Sequence, residues 1–122
     1  MNVPNLVLLY VEDPVASAGS YERLLGTSPA AVFPTYAAFA FENGLHLGLW
    51  STKARDFVST GTGHRSELAF MVDDEAKVRA LRDAWKADGV EIEQDLAAAV
   101  FGLTFVALDP DGHRIRVCLP DR

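Results

Sequence analysis

Hydrophobic and polar residues follow two similar patterns, one in each half of the chain. The segment LLYVED at residues 8–13 is similar to AFMVDD at residues 69–74, an offset of 61 residues in a chain of 122. Each segment is an apolar run that ends in a valine and two acidic residues. Apolar positions spaced three and four residues apart follow each segment, as in an amphipathic helix. Self-similarity at a fixed offset indicates a supersecondary unit that occurs twice.

Each half predicts a strand, a helix, a short strand and a hairpin. In the first half, the helix is expected at 15–25, the short strand at 30–33 and the hairpin strands at 36–41 and 45–50. In the second half, the corresponding ranges are 76–87, 91–97, 103–108 and 113–119. Asn-Gly and Asp-Gly turns separate the hairpin strands. These turns are 68 residues apart, so the second half holds seven additional residues (68 minus 61), which we place at 95–101.

The composition predicts one soluble, globular domain. The chain is 49% hydrophobic, yet no apolar run approaches the ~20 residues that a membrane-spanning helix needs. We expect a single domain over 1–122, with one module at about 3–51, a Ser-, Thr- and Gly-rich linker at about 52–63, and a second module at about 64–120.

The charge balance restricts the partners. With 11 Lys and Arg against 17 Asp and Glu, the net charge is -6, which argues against nucleic acid or an anionic membrane surface as a partner. Cys118 is the single cysteine and cannot form an internal disulfide. The first residues contain neither a basic region nor a small-residue cleavage site, so we expect a cytoplasmic protein without a targeting segment.

Several motifs carry a family resemblance. Val11-Glu12-Asp13 closes the first strand, and DPDGHRIRV at 109–117 opens the last one. With the duplicated βαβββ pattern, they resemble the vicinal oxygen chelate superfamily, which includes glyoxalase I, extradiol dioxygenases and the bleomycin and fosfomycin resistance proteins. Pro34-Thr35-Tyr36, Leu49-Trp50-Ser51 and Phe101-Gly102-Leu103 are further similar to phenazine-antibiotic resistance proteins. The resemblance implies an α+β fold in which two βαβββ modules form a cupped mixed sheet with the helices outside, and it implies a homodimer.

The resemblance also implies where a metal ion would be held. Superfamily enzymes bind a divalent ion through the first and last strands of each module, and the matching positions here are Leu6, Gly48, Glu67 and Arg116. Glu67 alone could ligate a metal, whereas a catalytic site needs about three protein ligands. We therefore expect no metal and no other cofactor. Glu67 and Arg116 form an ion pair that fixes strand register, or they contact polar groups of a ligand.

Strand alternation assigns side chains to the cup face of the sheet. Trp50 and Met71 share the parity of the former ligand positions, and Tyr36 shares that of Ala38 and Ala40 on the neighbouring strand. We expect Trp50 to stack on a planar ring, Gly48 to leave room for it, and Tyr36 and Phe101 to add walls. The alternatives are that Trp50 fills the cup or joins a dimer contact, and that Tyr36 and Phe101 are ordinary core residues.

The leading hypothesis is a metal-free binding protein that sequesters a planar aromatic antibiotic of phenazine type and thereby confers resistance. The alternative is a metal-dependent lyase or isomerase of glyoxalase type, or a dioxygenase, with atypical ligands such as His46, His64 and Glu67. A ligand-sensing or scaffolding module is a third reading. The sequence therefore favours a non-catalytic protein without deciding the point, and it identifies neither the ligand nor any chemical change to it.

Overall fold

A computed structural model describes residues 1, 3–55, 57 and 66–120. The chain divides into two compact units, Met1–Gly61 and Thr62–Arg122, which we call module 1 and module 2. Each module contains one βαβββ unit, so the predicted α+β class and the predicted duplication are confirmed. Within the described residues, no helix combines the length and the apolar character needed to cross a bilayer.

Module 1 is a four-stranded mixed sheet with one helix. Its elements are β1 (Leu6–Val11), α1 (Pro14–Leu25), β2 (Ala31–Phe33), β3 (Tyr36–Ala40) and β4 (His46–Ser51). The strand order is β1-β4-β3-β2, with β1 parallel to β4 and the other pairs antiparallel. Asp13 begins α1 by accepting hydrogen bonds from the backbone N–H groups of Val15 and Ala16. Gly26 ends the helix at φ 70, a left-handed conformation that glycine adopts without strain.

One face of this sheet forms the module 1 core and the other does not. The large buried side chains of β3 and β4 pair across the two strands and alternate with residues of the other face, so they share one face with Ala37: Phe39, Leu47 and Leu49. Tyr21 and Leu24 of α1 are also buried, which places the helix over that face. On β1, Leu6, Leu8 and Tyr10 point to the opposite face and are exposed, as the predicted alternation requires.

Module 2 repeats the arrangement. Its elements are β5 (Leu68–Met71), α2 (Glu75–Ala87), β6 (Glu91–Ala99), β7 (Gly102–Leu108) and β8 (Arg114–Cys118), with strand order β5-β8-β7-β6. Asp74 begins α2 by accepting a hydrogen bond from the backbone N–H of Lys77. Trp85 is buried on α2, and its ring meets those of Phe70 and Phe105 edge to face at centroid distances of 5.7 and 5.5 Å.

The additional residues of the second half lengthen β6. Its pairing with β7 shifts register between Ile92 and Gln94 and again between Gln94 and Ala97, and each shift places one extra residue on β6, so the bulges absorb two of the additional residues. Asp95 lies in the second bulge and binds Arg82 of α2 at 2.8 Å (Oδ1 to Nε) and 2.6 Å (Oδ2 to Nη2). Hydrogen bonds from Arg82 lower the pKa of Asp95 to about 2. Asp95 in the second bulge therefore links β6 to α2 through its ion pair with Arg82. The strand predicted at 91–97 extends to Ala99 and is longer than expected.

A buried carboxylate organises the β7–β8 turn. Asp109 Oδ1 accepts hydrogen bonds from the backbone N–H groups of Asp111 (2.9 Å) and His113 (2.8 Å). Asp109 Oδ2 lies 2.7 Å from His113 Nδ1, and the Asp109 side chain is fully buried. The hydrogen bond to Asp109 raises the pKa of His113 above its ordinary 6.5, outweighing the opposing effect of burial.

This contact predicts that stability depends on the charge of His113. Because the pKa of His113 is raised in the folded protein, the ionic part of the contact is fully present below pH 6.5 and is lost as pH rises through the folded pKa. We expect His113→Asn to cost about 1 kcal/mol at pH 5.5 and less at pH 9, in urea unfolding at both pH values. The exposed His46, changed to Asn, is the matched control. An equal cost at both pH values would contradict the assignment.

Candidate functional site

An aromatic row crosses the face of module 1 that its core does not use. Strand register aligns Phe33 on β2, Tyr36 on β3, Trp50 on β4 and Tyr10 on β1. Residues paired directly across strands share a face, so these four side chains belong to one row. Three strand spacings of about 4.8 Å give the row a length of about 14 Å. Phe33 and Tyr10 are exposed, whereas Tyr36 and Trp50 are half-buried.

Phe57 joins this row at Trp50. Its ring lies 5.3 Å from that of Trp50 and 4.9 Å from that of Tyr10, with interplanar angles of 77° in both pairs. Tyr10 in turn meets Trp50 at a centroid distance of 6.3 Å. We call Tyr10, Phe33, Tyr36, Trp50 and Phe57 the aromatic face. Trp50 is its centre, because it pairs in register with both tyrosines and contacts Phe57.

The space above Gly48 holds a side chain of module 1 itself. A Cβ atom at Gly48 would lie 2.5 Å from Tyr36 Oη, 3.0 Å from Tyr36 Cε1 and 2.8 Å from Leu8 Cδ1. Carbon atoms normally approach no closer than about 3.5 Å, so only glycine permits this arrangement. Gly48 thus provides room for the ring of Tyr36, and the expectation that a ligand ring lies beside Gly48 stays a prediction.

Module 2 carries a polar cluster around Glu67 and Arg116. Arg116 donates from Nε to Glu67 Oε1 at 2.7 Å, from Nη2 to Glu67 Oε2 at 3.1 Å, and from Nη1 to Thr104 Oγ1 at 3.1 Å. Arg114 Nη1 lies 3.1 Å from Glu67 Oε2. Arg114 Nε lies 2.8 Å from Glu93 Oε1, but that N–H is not directed at the oxygen, so the contact is ionic. Two guanidinium groups therefore face two carboxylates.

These contacts shift the pKa values of both Glu67 and Arg116. Hydrogen bonds from Arg116 hold the pKa of Glu67 below its ordinary 4.5, and burial opposes this only in part. The same hydrogen bonds raise the pKa of Arg116. Bidentate pairing of this kind fixes the orientation of the guanidinium plane.

A double-mutant cycle measures how much the pairing of Glu67 with Arg116 contributes to the free energy of unfolding. In a double-mutant cycle with Glu67→Gln and Arg116→Met, we expect a coupling energy of about 1–2 kcal/mol at pH 7, measured by urea unfolding. Since the pKa of Glu67 is depressed, this contribution is present above pH 4.5 and is lost as pH falls through the folded pKa. Lys53 and Glu12, an exposed pair at 3.6 Å, provide a control cycle that should give a coupling below about 0.5 kcal/mol. Equal coupling in the two cycles would contradict the prediction.

Phe101 and Met71 lie elsewhere on module 2. Arg116 Cζ is 5.7 Å from the centroid of the Phe101 ring, within the range of a cation–π contact. Phe101 also lines a cleft of about 680 Å³ formed by residues 73–75, 100–102, Leu119 and Pro120. Of the predicted site residues, Phe101 alone lines this cleft. Met71 is exposed and pairs in register with Cys118.

The structure divides the seven predicted site residues between the modules. Trp50, Tyr36 and Gly48 lie together in module 1, and Glu67, Arg116 and Phe101 lie together in module 2. Met71, the seventh, lies on β5 of module 2. Phe57 is not among the predicted site residues, because it falls in the predicted linker, where no strand period assigns a face. Phe33 and Thr104 are not among them either. Phe33 could have been found by extending the alternation of the hairpin to the short strand before it.

The residues at the former ligand positions do not fit a divalent metal ion. Leu6 and Gly48 offer no donor side chain, both oxygens of Glu67 bind arginine, and Arg116 places a positive charge at the fourth position. Among the residues that the structure describes, no group of three or more His, Cys, Asp and Glu side chains is arranged to hold a metal ion. His64, one of the alternative ligands, lies outside the described residues.

Comparisons with known proteins agree with this fold. The sequence profile of the Glyoxalase/Bleomycin resistance protein/Dioxygenase superfamily matches residues 4–117. The chain is 31% identical over 118 residues to the phenazine antibiotic resistance protein EhpR of Enterobacter agglomerans, a match that covers 94% of this chain and 90% of EhpR.

Two solved structures are also similar. Protein ATC0852 from Agrobacterium tumefaciens is 43% identical, with a TM-score of 0.85 and 98% of both chains covered. A glyoxalase-related enzyme from Fulvimarina pelagi is 25% identical, with a TM-score of 0.80, covering 98% of this chain and 88% of that one. From the profile match and the identity to EhpR together, this chain belongs to the glyoxalase/bleomycin resistance protein/dioxygenase superfamily.

Proposed function

We propose that this protein binds a planar aromatic compound of the phenazine type and sequesters it without changing it chemically, and so confers resistance to it. The observation that carries the proposal is the aromatic face of module 1, with half-buried Trp50 at its centre. The 31% identity to a phenazine antibiotic resistance protein supports this choice of ligand class.

The aromatic face suits a flat ring for a physical reason. Stacking of aromatic rings contributes about 0.5–1.5 kcal/mol beyond the burial of apolar area. Aromatic side chains aligned in register on adjacent strands of a sheet offer this gain at little entropic cost, because each has two side-chain torsions and the strands are already fixed. Exposed rings such as Phe33, at 58%, and Tyr10, at 44%, are the groups that would gain most from being covered.

Glu67, Arg116, Phe101 and Met71 are proposed as ligand contacts on the chemistry of module 2 alone. Arg116 has five N–H donors, of which three are used by Glu67 and Thr104, and the other two bond to none of the described residues. Glu67 and Arg116 offer hydrogen bonds, and Phe101 and Met71 offer apolar contact. Each of these residues can be replaced without changing module 1, so its contribution is measured separately from stacking.

Protection by sequestration needs no catalytic group. The free concentration of the compound stays low while binding sites exceed it and the dissociation constant lies well below the toxic concentration. We further propose that the protein acts in the cytoplasm as a homodimer, for which light scattering after gel filtration would give twice the 13.3 kDa chain mass.

A binding titration with product analysis tests the proposed function. Isothermal titration of the full chain with phenazine-1-carboxylate is expected to saturate at one molecule per chain, while adamantane-1-carboxylate, which has the same charge but is not planar, binds at least tenfold more weakly. Mass spectrometry should recover the phenazine unchanged, with or without added Zn²⁺, Ni²⁺ or Mn²⁺. Equal binding of the two compounds would contradict the stacking, and a metal-dependent product would establish the enzymatic alternative.

A further inference from the structure

Tyr36 leans out of the aromatic row along the sheet. Its register partner is Trp50, yet its Oη and Cε1 atoms are the ones that a Cβ at Gly48 would meet, at 2.5 and 3.0 Å. Gly48 lies two residues before Trp50 on β4, a distance of about 6.6 Å along a strand. The Tyr36 phenol therefore covers the backbone of Gly48, beside Trp50 and against Leu8.

Contacts of packing alone hold the ring in this position. Tyr36 Oη makes no hydrogen bond to any residue that the structure describes, and the residue is half-buried. A phenol that is held by dispersion contacts over a glycine can exchange between side-chain rotamers, because no polar group has to be desolvated or left unpaired when it moves.

We propose that Tyr36 determines which compounds the aromatic face accepts, because its ring occupies the place over Gly48 that a flat ligand would take beside Trp50. This inference rests on the proposed function. When Tyr36 rotates away, the glycine backbone becomes a floor without a side chain, which only a ring system that is flat on that side can cover. Substituents that project from the ring face are then excluded by the floor.

The affinity for a flat ligand then depends on how often Tyr36 is rotated away from Gly48. When a binding-competent conformation is only partly populated, the apparent dissociation constant equals the intrinsic one divided by the populated fraction. If the open rotamer of Tyr36 accounts for about a tenth to a third of the molecules, removal of the ring should tighten binding by about three- to tenfold.

Two substitutions distinguish a Tyr36 ring that competes with the ligand from one that contacts the ligand or has no effect on binding. Tyr36→Ala should bind phenazine-1-carboxylate about three- to tenfold more tightly than the wild type. Tyr36→Phe keeps the ring and should bind within twofold of the wild type, since the hydroxyl bonds to none of the described residues. Weaker or unchanged binding by Tyr36→Ala would overturn the proposal, because it would make Tyr36 a wall or a bystander. Weaker binding by Tyr36→Phe would overturn it as well, because the hydroxyl would then be a ligand contact.

A measurement on the intact chain guards against misfolding of the variants. With 3-fluorotyrosine incorporated, the ¹⁹F resonance of Tyr36 should shift on addition of phenazine-1-carboxylate, while that of fully buried Tyr21 stays in place. An unmoved Tyr36 resonance at saturating ligand would overturn the proposal. If the wild type shows no saturable binding at all, the proposed function fails instead, so the two failures are distinguishable.

Discussion

Replacement of Trp50 by alanine is expected to weaken the binding of phenazine-1-carboxylate at least tenfold. The indole pairs in register with Tyr10 and Tyr36 and contacts Phe57, so it is the ring through which the aromatic face is continuous. Its loss removes both a stacking contact and buried apolar area, and together these exceed the ~1.4 kcal/mol that corresponds to a factor of ten. Isothermal titration measures the change without depending on the fluorescence that the substitution removes.

The chain supplies a matched control for this substitution. Trp85 is the second tryptophan, and it is 2% exposed beneath the sheet of module 2. Trp85→Phe should leave the affinity within twofold of the wild type, whereas Trp50→Phe, which keeps a smaller ring, should fall between the wild type and Trp50→Ala. Unchanged affinity in Trp50→Ala would count against the stacking model whatever the other variants do.

Replacement of Trp85 by alanine should produce the largest loss of stability among these substitutions. Phe70 and Phe105 pack edge to face against this indole, and truncation leaves a large cavity between α2 and the sheet. Removal of a buried aromatic side chain costs about 3–5 kcal/mol of unfolding free energy. Urea unfolding should show this loss for Trp85→Ala and about half of it for Trp85→Phe. A loss below 1 kcal/mol in Trp85→Ala would contradict the packing described for module 2.

Strand alternation predicted the composition of the two sheet faces well. The period of two residues placed Trp50 on the cup face of β4, and in the structure Trp50 is more exposed than its neighbours Leu49 and Ser51, which point to the other side. It succeeds because β1, β3, β4, β5 and β8 are regular, and a regular strand fixes the side of every residue once the side of one is known. The same rule placed Glu67 and Arg116 on one face, where the structure pairs them.

Residues outside regular strands could not be placed in this way. Phe57 contacts Trp50 from the segment after β4, and no periodicity connects such a residue to a face. The bulges of β6 break the alternation, so the pairing of Asp95 with Arg82 depends on tertiary contact rather than on local pattern. The position of the Tyr36 ring over Gly48 is set by its side-chain rotamer. That rotamer depends on packing and cannot be predicted from the spacing of residues.

The two tryptophans allow ligand binding at the aromatic face to be tested in one spectrum. In a ¹H–¹⁵N correlation spectrum, each indole N–H gives a separate signal, and Trp50→Phe assigns the pair. We expect phenazine-1-carboxylate to shift the Trp50 signal in a saturable manner and to leave that of Trp85 in place. A Trp50 signal that does not move when the ligand is bound, or a larger shift at Trp85, would show that the ring does not bind at the aromatic face.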